Sequence, residues 1–180
     1  MIVPREIWTI GHSTRSWEDF LALLQSQRIE RIVDVRHFPG SRKYPQFGQD
    51  ELQQHLGREG ISYLWIAELG GRRRPQVDSS NTVWRNPAFR AYADYMQSTQ
   101  YRHGRELLLR AARERRSAML CAEAVWWRCH RALIADDLKA AGAVVWHIMG
   151  PGKVVEHPFT SAARVVEGHL VYGPARGREE

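Results

Sequence analysis

The sequence "EIWTIGHSTRSWEDFLALLQSQRIERIVDV", residues 6–35, predicts a strand, a helix and a second strand in succession. Its first five residues form an apolar, β-rich run. Residues 16–27 carry large apolar side chains at helical spacing, and Ser16 with Asp19 resembles a helix capping box. Residues 31–35, "RIVDV", are again apolar and β-branched. Two strands joined through a helix favour a parallel sheet.

The same alternation continues along the chain. Further strands are expected at 61–66, 117–122 and 143–149, and further helices at 50–60, 87–98, 104–116 and 129–142. We therefore predict the α/β class: a single domain over residues 1–180, Rossmann-like, with a mostly parallel sheet of about five strands and helices on both faces.

Two segments break this alternation. Residues 72–86 are polar and aperiodic, which predicts a long exposed loop. The proline-containing tail after residue 149 is expected to be mostly irregular, with at most a helical turn in residues 157–166. Residues 173–180 are expected to be a disordered tail.

The composition favours a globular protein with anionic partners. The 180 residues are 43% hydrophobic, and the net charge of +6 comes mainly from arginine, which suits contacts to phosphate and carboxylate groups. No apolar run is long enough for a membrane helix, and the start "MIVPREIWTIGHS" lacks a signal-peptide core, so we expect a cytoplasmic protein without a membrane partner. An anionic small molecule or a nucleic acid is the expected partner.

In α/β sheets, ligands bind at the carboxyl ends of the strands. The first strand ends in a glycine turn before a helix, which is a combination that binds anions through free N–H groups. The candidate ligand-binding residues of this turn are Gly11, His12, Ser13 and Thr14.

The second strand ends in Asp34 and Arg36, which lie on the same side of an extended segment. Asp34 lies in an apolar run and needs a partner. The two residues therefore either form a structural pair or leave Arg36 to hold a ligand anion. Ser41, in the loop that follows, is a further candidate for ligand binding.

The stretch "LCAEAVWWRCHRAL", residues 120–133, holds both cysteines. Cys121 and Glu123 share one face of the strand end. Cys129 lies near the start of the next helix, where a thiol pKa is lowered. His130 and Arg131 follow as ligand-binding candidates, and we expect Arg131 to face the same crevice as Glu123.

These motifs resemble the domain-of-unknown-function 488 family of small bacterial and archaeal proteins. The resemblance rests on "TIGHST", "DVRHFPGSR", "ISYLWIAELGG", "LCAE" followed by "CHR", and "HIMGPGKVVEHP", and it runs from about Ile7 to Tyr172. It implies that the family's motif positions are His12, Ser13, Asp34, Arg36, Pro39, Ser41, Cys121, Glu123, Cys129, His130 and Arg131. The link "AVWWR" departs from the family, whose link is short and polar or proline-containing, and it lies where the pocket entrance is expected.

The leading hypothesis is an enzyme, a hydrolase or a transferase, that acts on a phosphate-bearing small molecule, a nucleotide or a nucleic-acid base. Arg36 and Arg131 would hold the anion. The catalytic candidates are Glu123 or Asp34 as general acid or base, and Cys129 or Cys121 as nucleophile. We expect Glu123→Gln and Arg131→Ala to abolish turnover at little cost in stability.

Two alternatives stay open. A nucleic-acid-binding accessory protein would use the basic helix 104–116, the loop 71–75 and four tryptophans, Trp65, Trp84, Trp126 and Trp127. A metal site would use Cys121, Cys129 and His130, with His12 as a further ligand. The seven-residue gap between the cysteines and the adjacent Cys-His pair disfavour this option, so no metal and no cofactor is predicted.

Overall fold

A computed structural model of the protein describes residues 2–173. The strands of the main sheet are β1 (Glu6–Gly11), β2 (Arg31–Asp34), β3 (Ser62–Trp65), β4 (Ser117–Cys121), β5 (Val144–Gly150) and β6 (Lys153–Glu156). Their order is β3-β2-β4-β1-β5-β6, with parallel pairing everywhere except at β6, which is antiparallel to β5. The α/β prediction with five parallel strands is confirmed.

The helices are α1 (Trp17–Ser26), α2 (Gln49–Arg58), α3 (Pro87–Tyr95), α4 (Thr99–Glu114) and α5 (Arg131–Ala140). One face of the sheet packs against apolar side chains of α1 and α2, and the other packs against those of α3, α4 and α5. The predicted cap of α1 is confirmed, because the Ser16 side chain accepts a hydrogen bond from the Asp19 backbone N–H. Residues 72–86 contain no helix or strand, as expected.

Helix α4 begins at Thr99, five residues before its predicted start. Ser98 caps it by accepting a hydrogen bond from the Tyr101 N–H. Gly104, the first residue of the predicted helix, lies inside the observed helix. A Cβ there would lie 2.8 Å from Cβ of Glu68, so the glycine permits close packing of α4 against the short turn Ala67–Leu69.

The tail after residue 149, which was expected to be mostly irregular, contains three short strands. Besides β6, it forms a hairpin of β7 (Arg164–Val166) and β8 (His169–Val171), joined by Glu167 and Gly168 at positive φ. Residues 157–166, where a helical turn was expected, contain one hydrogen-bonded turn, in which Ala163 N–H donates to Thr160 O. Because these strands are three or four residues long, their periodicity is too short to stand out in the sequence. Residues 174–180 of the expected disordered tail lie outside the described residues.

Candidate active site

Three neighbouring strands, β2, β4 and β1, bring their carboxyl ends together. Gly11 pairs with Cys121 in the register of β1 and β4. The contacts continue beyond the strands, since the N–H groups of His12 and Ser13 donate to Cys121 O at 3.0 Å and Ala122 O at 2.9 Å. The segments that follow β1 and β4 therefore lie side by side at the carboxyl ends of the strands, where ligands bind in α/β sheets.

The same hydrogen bonds correct the expected anion cradle at residues 11–14. The N–H groups of His12 and Ser13 are already used by backbone carbonyls. Gly11 has another role: a Cβ at this position would lie 1.8 Å from the carbonyl oxygen of Glu123. The glycine is needed because the backbone after β4 passes directly over it.

A cavity of about 670 Å³ opens at this edge of the sheet. Nine of the predicted residues line it: His12, Ser13, Thr14, Arg36, Ser41, Cys121, Glu123, Cys129 and His130. The other three, Gly11, Asp34 and Arg131, do not line it. We name this space the site cavity.

Sequence reasoning missed several residues that line the site cavity. Two exposed arginines, Arg72 and Arg128, add positive charge to its wall. Phe38, 66% exposed, Tyr44 and Phe89 add aromatic surface. Arg72 belongs to the long polar loop, whose length was a signal of function. The aromatic residues carry no signal until the fold brings their loops together.

Asp34 and Arg36 form a buried ion pair. Arg36 donates from Nε to Asp34 Oδ1 at 2.9 Å and from Nη2 to Oδ2 at 2.6 Å. Tyr63 donates its hydroxyl to the same carboxylate at 2.7 Å, and Arg36 Nη1 donates to Phe47 O at 2.8 Å. Because Arg36 is 5% exposed and most of its donors are used within the protein, this pair is foremost a structural unit.

His12 lies between the ion pair and the site cavity. Its Nδ1–H donates to Ser13 O at 3.0 Å, which leaves Nε2 facing Arg36 Nη1 at 3.5 Å. Ser13 reaches this position with a φ of 48°, which is uncommon for a residue with a side chain. Burial, together with the charge of Arg36, lowers the His12 pKa to about 4, so the ring is neutral at pH 7.

Arg131 is buried, 1% exposed, and makes its contacts inside the protein. Nη2 donates to Glu123 O at 2.7 Å and Ala124 O at 3.3 Å, while Nη1 donates to Thr9 Oγ1 at 3.2 Å. The expectation that Arg131 faces the crevice is therefore corrected. Its replacement by alanine is also expected to reduce stability, contrary to the sequence-based expectation, because carbonyl oxygens would lose their donors.

Cys129 receives two hydrogen bonds from Arg131. Both the backbone N–H and Nε of Arg131 donate to Cys129 Sγ at 3.3 Å. The backbone of Cys129 is extended, and its carbonyl accepts from Ala132 N–H. Because His130 is the N-cap of α5, Cys129 directly precedes the first turn of this helix. The sulfur thus lies at the positive end of a helix and beside a guanidinium.

The pKa values of the two thiols are shifted in opposite directions. Burial alone would raise the pKa of Cys129, but a hydrogen bond from Cys121 and the charge and N–H groups of Arg131 lower it to about 6. The hydrogen bond to Cys129 and burial raise the pKa of Cys121 to about 12. The contacts of the pair therefore favour the thiolate form of Cys129 and the thiol form of Cys121.

The side chains of Cys121, Cys129 and His130 offer ligand atoms that all lie within 4.8 Å of one another. His130 Nε2–H donates to Val35 O at 2.8 Å, which leaves Nδ1 for the side-chain hydrogen bond with Cys121. Spacing along the chain argued against a shared metal ion, but the fold brings the three atoms together, so this set could hold one. His12 is not part of it.

The remaining candidates are spread over the surface and the core. Glu123 is exposed at the cavity wall. Of the four tryptophans proposed to stack on bases, Trp65 and Trp127 are exposed, whereas Trp84 packs on Tyr172 and Trp126 packs flat on His147. The link "AVWWR" therefore contributes Arg128 to the site cavity, and its tryptophans lie elsewhere.

Fold and site define an α/β protein with a paired-thiol site at the carboxyl edge of a parallel sheet. The family described as "Domain of unknown function DUF488" matches residues 16–138, more than half of the chain, so the protein belongs to this family. No curated protein and no solved structure matches the chain. No helix within residues 2–173 is long and apolar enough to cross a membrane.

Proposed function

We propose that the protein is an enzyme that uses the Cys129 thiolate as a nucleophile on an anionic, phosphate-bearing ligand bound in the site cavity. One observation carries the proposal: the buried Arg131 donates two hydrogen bonds to Cys129 Sγ. No carboxylate within residues 2–173 forms an ion pair with Arg131.

A buried positive charge is costly unless a negative charge accompanies it. Around Arg131 the direct neighbours are two carbonyl oxygens, a hydroxyl and the Cys129 sulfur. Only the sulfur can become an anion. The burial of Arg131 therefore favours the thiolate, which is the reactive form of cysteine.

The anionic ligand is proposed from the charge of the cavity wall. Arg72 and Arg128 are exposed there, and the hydroxyl groups of Ser13, Thr14 and Ser41 lie on the same wall. Guanidinium and hydroxyl groups are the common donors to phosphate. Phe38, which is exposed beside them, offers a face for a flat ring such as a nucleobase.

The proposed reaction begins with attack of the Cys129 thiolate on an electrophilic centre of the ligand. The leaving group departs with the bonding electrons and takes a proton from the Glu123 carboxyl group. Water or a second substrate then displaces Cys129, and its proton returns to Glu123. Hydrolysis and transfer differ only in that acceptor.

The nucleophile is tested by alkylation with iodoacetamide, followed by mapping of the modified cysteine by mass spectrometry. Cys129 should react with a pH midpoint near 6, because the thiolate is the reacting form. Cys129→Ser should remove this reaction, and Cys121→Ser is the matched control that retains the Cys129 nucleophile. A midpoint near that of an ordinary thiol would contradict the proposal.

The ligand is tested by turnover of a panel of nucleotides and simple phosphate esters. Arg128→Ala and Arg72→Ala should raise KM for an active compound, with kcat changed less, because both residues contact the ligand at the cavity wall. Arg110→Ala, an exposed change on α4, is the control. Equal KM values in all variants would contradict an anionic ligand at this wall.

A metal-dependent site is the second candidate, favoured by the 4.8 Å cluster of Cys121, Cys129 and His130. Elemental analysis of protein purified without added metal decides between the two. Stoichiometric metal that is lost in His130→Ala would favour the metal site. Folded protein without metal would favour the thiolate.

A further inference from the structure

We infer that four buried residues, Thr9, His147, His157 and Asp136, form a hydrogen-bonded relay that holds Arg131 against the Cys129 sulfur. These are positioning residues, and none of them lines the site cavity. The inference rests on the proposed function, because it assigns the relay to the same thiolate.

The relay is continuous from Arg131 to Asp136. Arg131 Nη1 lies 3.2 Å from Thr9 Oγ1, and Thr9 Oγ1 lies 2.6 Å from His147 Nδ1. His147 Nε2 lies 2.9 Å from His157 Nδ1. His157 Nε2 lies 2.9 Å from Asp136 Oδ1. Strand β1, strand β5, the segment after β6 and helix α5 thus contribute to one chain of contacts.

The two ends favour one direction for the hydrogen bonds. A guanidinium only donates, so Thr9 accepts from Arg131, and its single proton is then available to His147 Nδ1. At the other end Asp136 accepts from Thr160 N–H and Oγ1 and from the Tyr172 hydroxyl, in addition to His157. In this direction His147 and His157 each donate from Nε2.

The surroundings of the relay exclude water. Thr9, His147, His157 and Asp136 are at most 1% exposed. Trp126 packs parallel to the His147 ring at 4.7 Å and edge-on to His157 at 4.9 Å. Burial, the largest cause, lowers the pKa of His147 to about 2, which keeps it neutral. Trp126, in the link before α5, therefore covers both histidines of the relay.

The relay explains why Arg131 keeps one orientation. With Nη1 held by Thr9, Nη2 points to Glu123 O and Nε points to Cys129 Sγ. Between Asp136 and Arg131 lie the two imidazole rings and the Thr9 hydroxyl. Arg131 is therefore fixed in place, while its charge stays available to the sulfur.

Within residues 2–173, four titratable or charged side chains face the Cys129 sulfur. Cys121 faces the sulfur from β4, Tyr92 faces it from α3, and His130 and Arg131 face it from α5. A change at Thr9 alters none of these side chains directly. Any effect on Cys129 must then pass through Arg131.

The experiment compares Thr9→Val, which keeps the shape but removes the hydroxyl, with Thr9→Ser, which keeps the hydroxyl. Thr160→Val is the matched control, because it removes a hydroxyl from Asp136 outside the path to Arg131. Thr9→Val should raise the pH midpoint of Cys129 alkylation by about one unit, a tenfold decrease in the acid dissociation constant of the thiol. Thr9→Ser and Thr160→Val should retain the midpoint of the unmodified chain.

Two NMR measurements test the relay without using the thiol. In the unmodified chain, nitrogen shifts of His147 and His157 should show protonation at Nε2 alone, which also decides the question if Thr9→Val does not fold. The Nε–H of Arg131 should exchange slowly with water, and faster in Thr9→Val. A different protonation pattern, or a folded Thr9→Val with unchanged exchange and unchanged midpoint, would overturn the relay.

The failure of the proposed function gives a different result. In that case Cys129 of the unmodified chain shows an ordinary thiol midpoint, while the protonation pattern and the slow exchange of Arg131 are still observed. If instead the relay is wrong and the proposed function is right, Cys129 reacts near pH 6 both in the unmodified chain and in Thr9→Val.

Discussion

The protein buries two arginines near the same edge of its sheet, and their surroundings differ. Arg36 has its own carboxylate, Asp34, at 2.6 Å, and Tyr63 completes the pair. Arg131 has two carbonyl oxygens, a hydroxyl and a sulfur. The positive charge of Arg36 is therefore neutralised by a carboxylate. Arg131 has no carboxylate in contact within the described part of the chain, so its charge can stabilise a negative charge on the Cys129 sulfur.

The two arginines are the same residue type, but their surroundings give Arg36 a structural role and Arg131 a role at the reactive sulfur. A buried ion pair is costly to break but has little remaining capacity to act on a ligand. A buried guanidinium whose carboxylate lies at the end of a relay stabilises a negative charge next to it.

Asp34→Asn removes the counter-charge of Arg36 and should lower the free energy of unfolding by about 3–5 kcal/mol. Cys129 should still be alkylated with a midpoint near 6, because Asp34 does not contact that site. Urea denaturation and alkylation of the same sample measure both effects. Asp78→Asn, at an exposed position, is the control, and equal stability of the two variants would refute the structural role of Asp34.

Acid should weaken both regions, because each arginine has a neutral buried histidine beside it. The pKa values of His12 and His147 are lowered from 6.5 to about 4 and about 2. The unfolded chain therefore binds protons at pH 5 that the folded chain does not, and stability falls as the pH drops below 6.5.

Between pH 7.5 and 5, each histidine should contribute a loss of about 2 kcal/mol to the free energy of unfolding. The loss for His12 ends near pH 4, and the loss for His147 continues toward pH 2. Urea denaturation at several pH values measures the slope. Constant stability from pH 7.5 to 5 would show that the two rings are not held neutral.

Arg131→Met should separate the second region from the first. Glu123 O and Ala124 O lose their donors, which should cost roughly 1–3 kcal/mol of stability. The pH midpoint of Cys129 alkylation should rise above 6, because the sulfur loses a positive charge and a side-chain N–H. Arg110→Met on the exposed face of α4 is the control. An unchanged midpoint would contradict the role given to Arg131.

Glu123→Gln should have the smallest effect on stability, below about 0.5 kcal/mol, because the side chain is exposed. Turnover should nevertheless be lost if its carboxyl group transfers the proton. Thermal unfolding and activity of the same preparation are the two measurements, with Glu18→Gln on α1 as the control. Full activity of Glu123→Gln would remove this residue from the mechanism.

The sequence was most informative where local periodicity decides geometry. Asp34 and Arg36 are two residues apart on an extended segment, so strand geometry made their pairing one of the two expected outcomes. Cys129 could be placed at a helix start from the pattern of the next helix. Arg131 was misplaced, because it turns away from the cavity toward Thr9 and the Glu123 carbonyl, which are distant in the chain or belong to an irregular segment.

The sequence by itself determined the strand–helix alternation, the parallel sheet and the edge at which Cys121, Glu123 and Cys129 meet. Period-2 and period-3.6 patterns encode these features locally. Only the tertiary structure decided which thiol is acidic, which arginine is neutralised, and that His147 and His157 join Asp136 to Arg131. These properties depend on contacts between residues up to 138 positions apart, and on the burial that gives each contact its electrostatic weight.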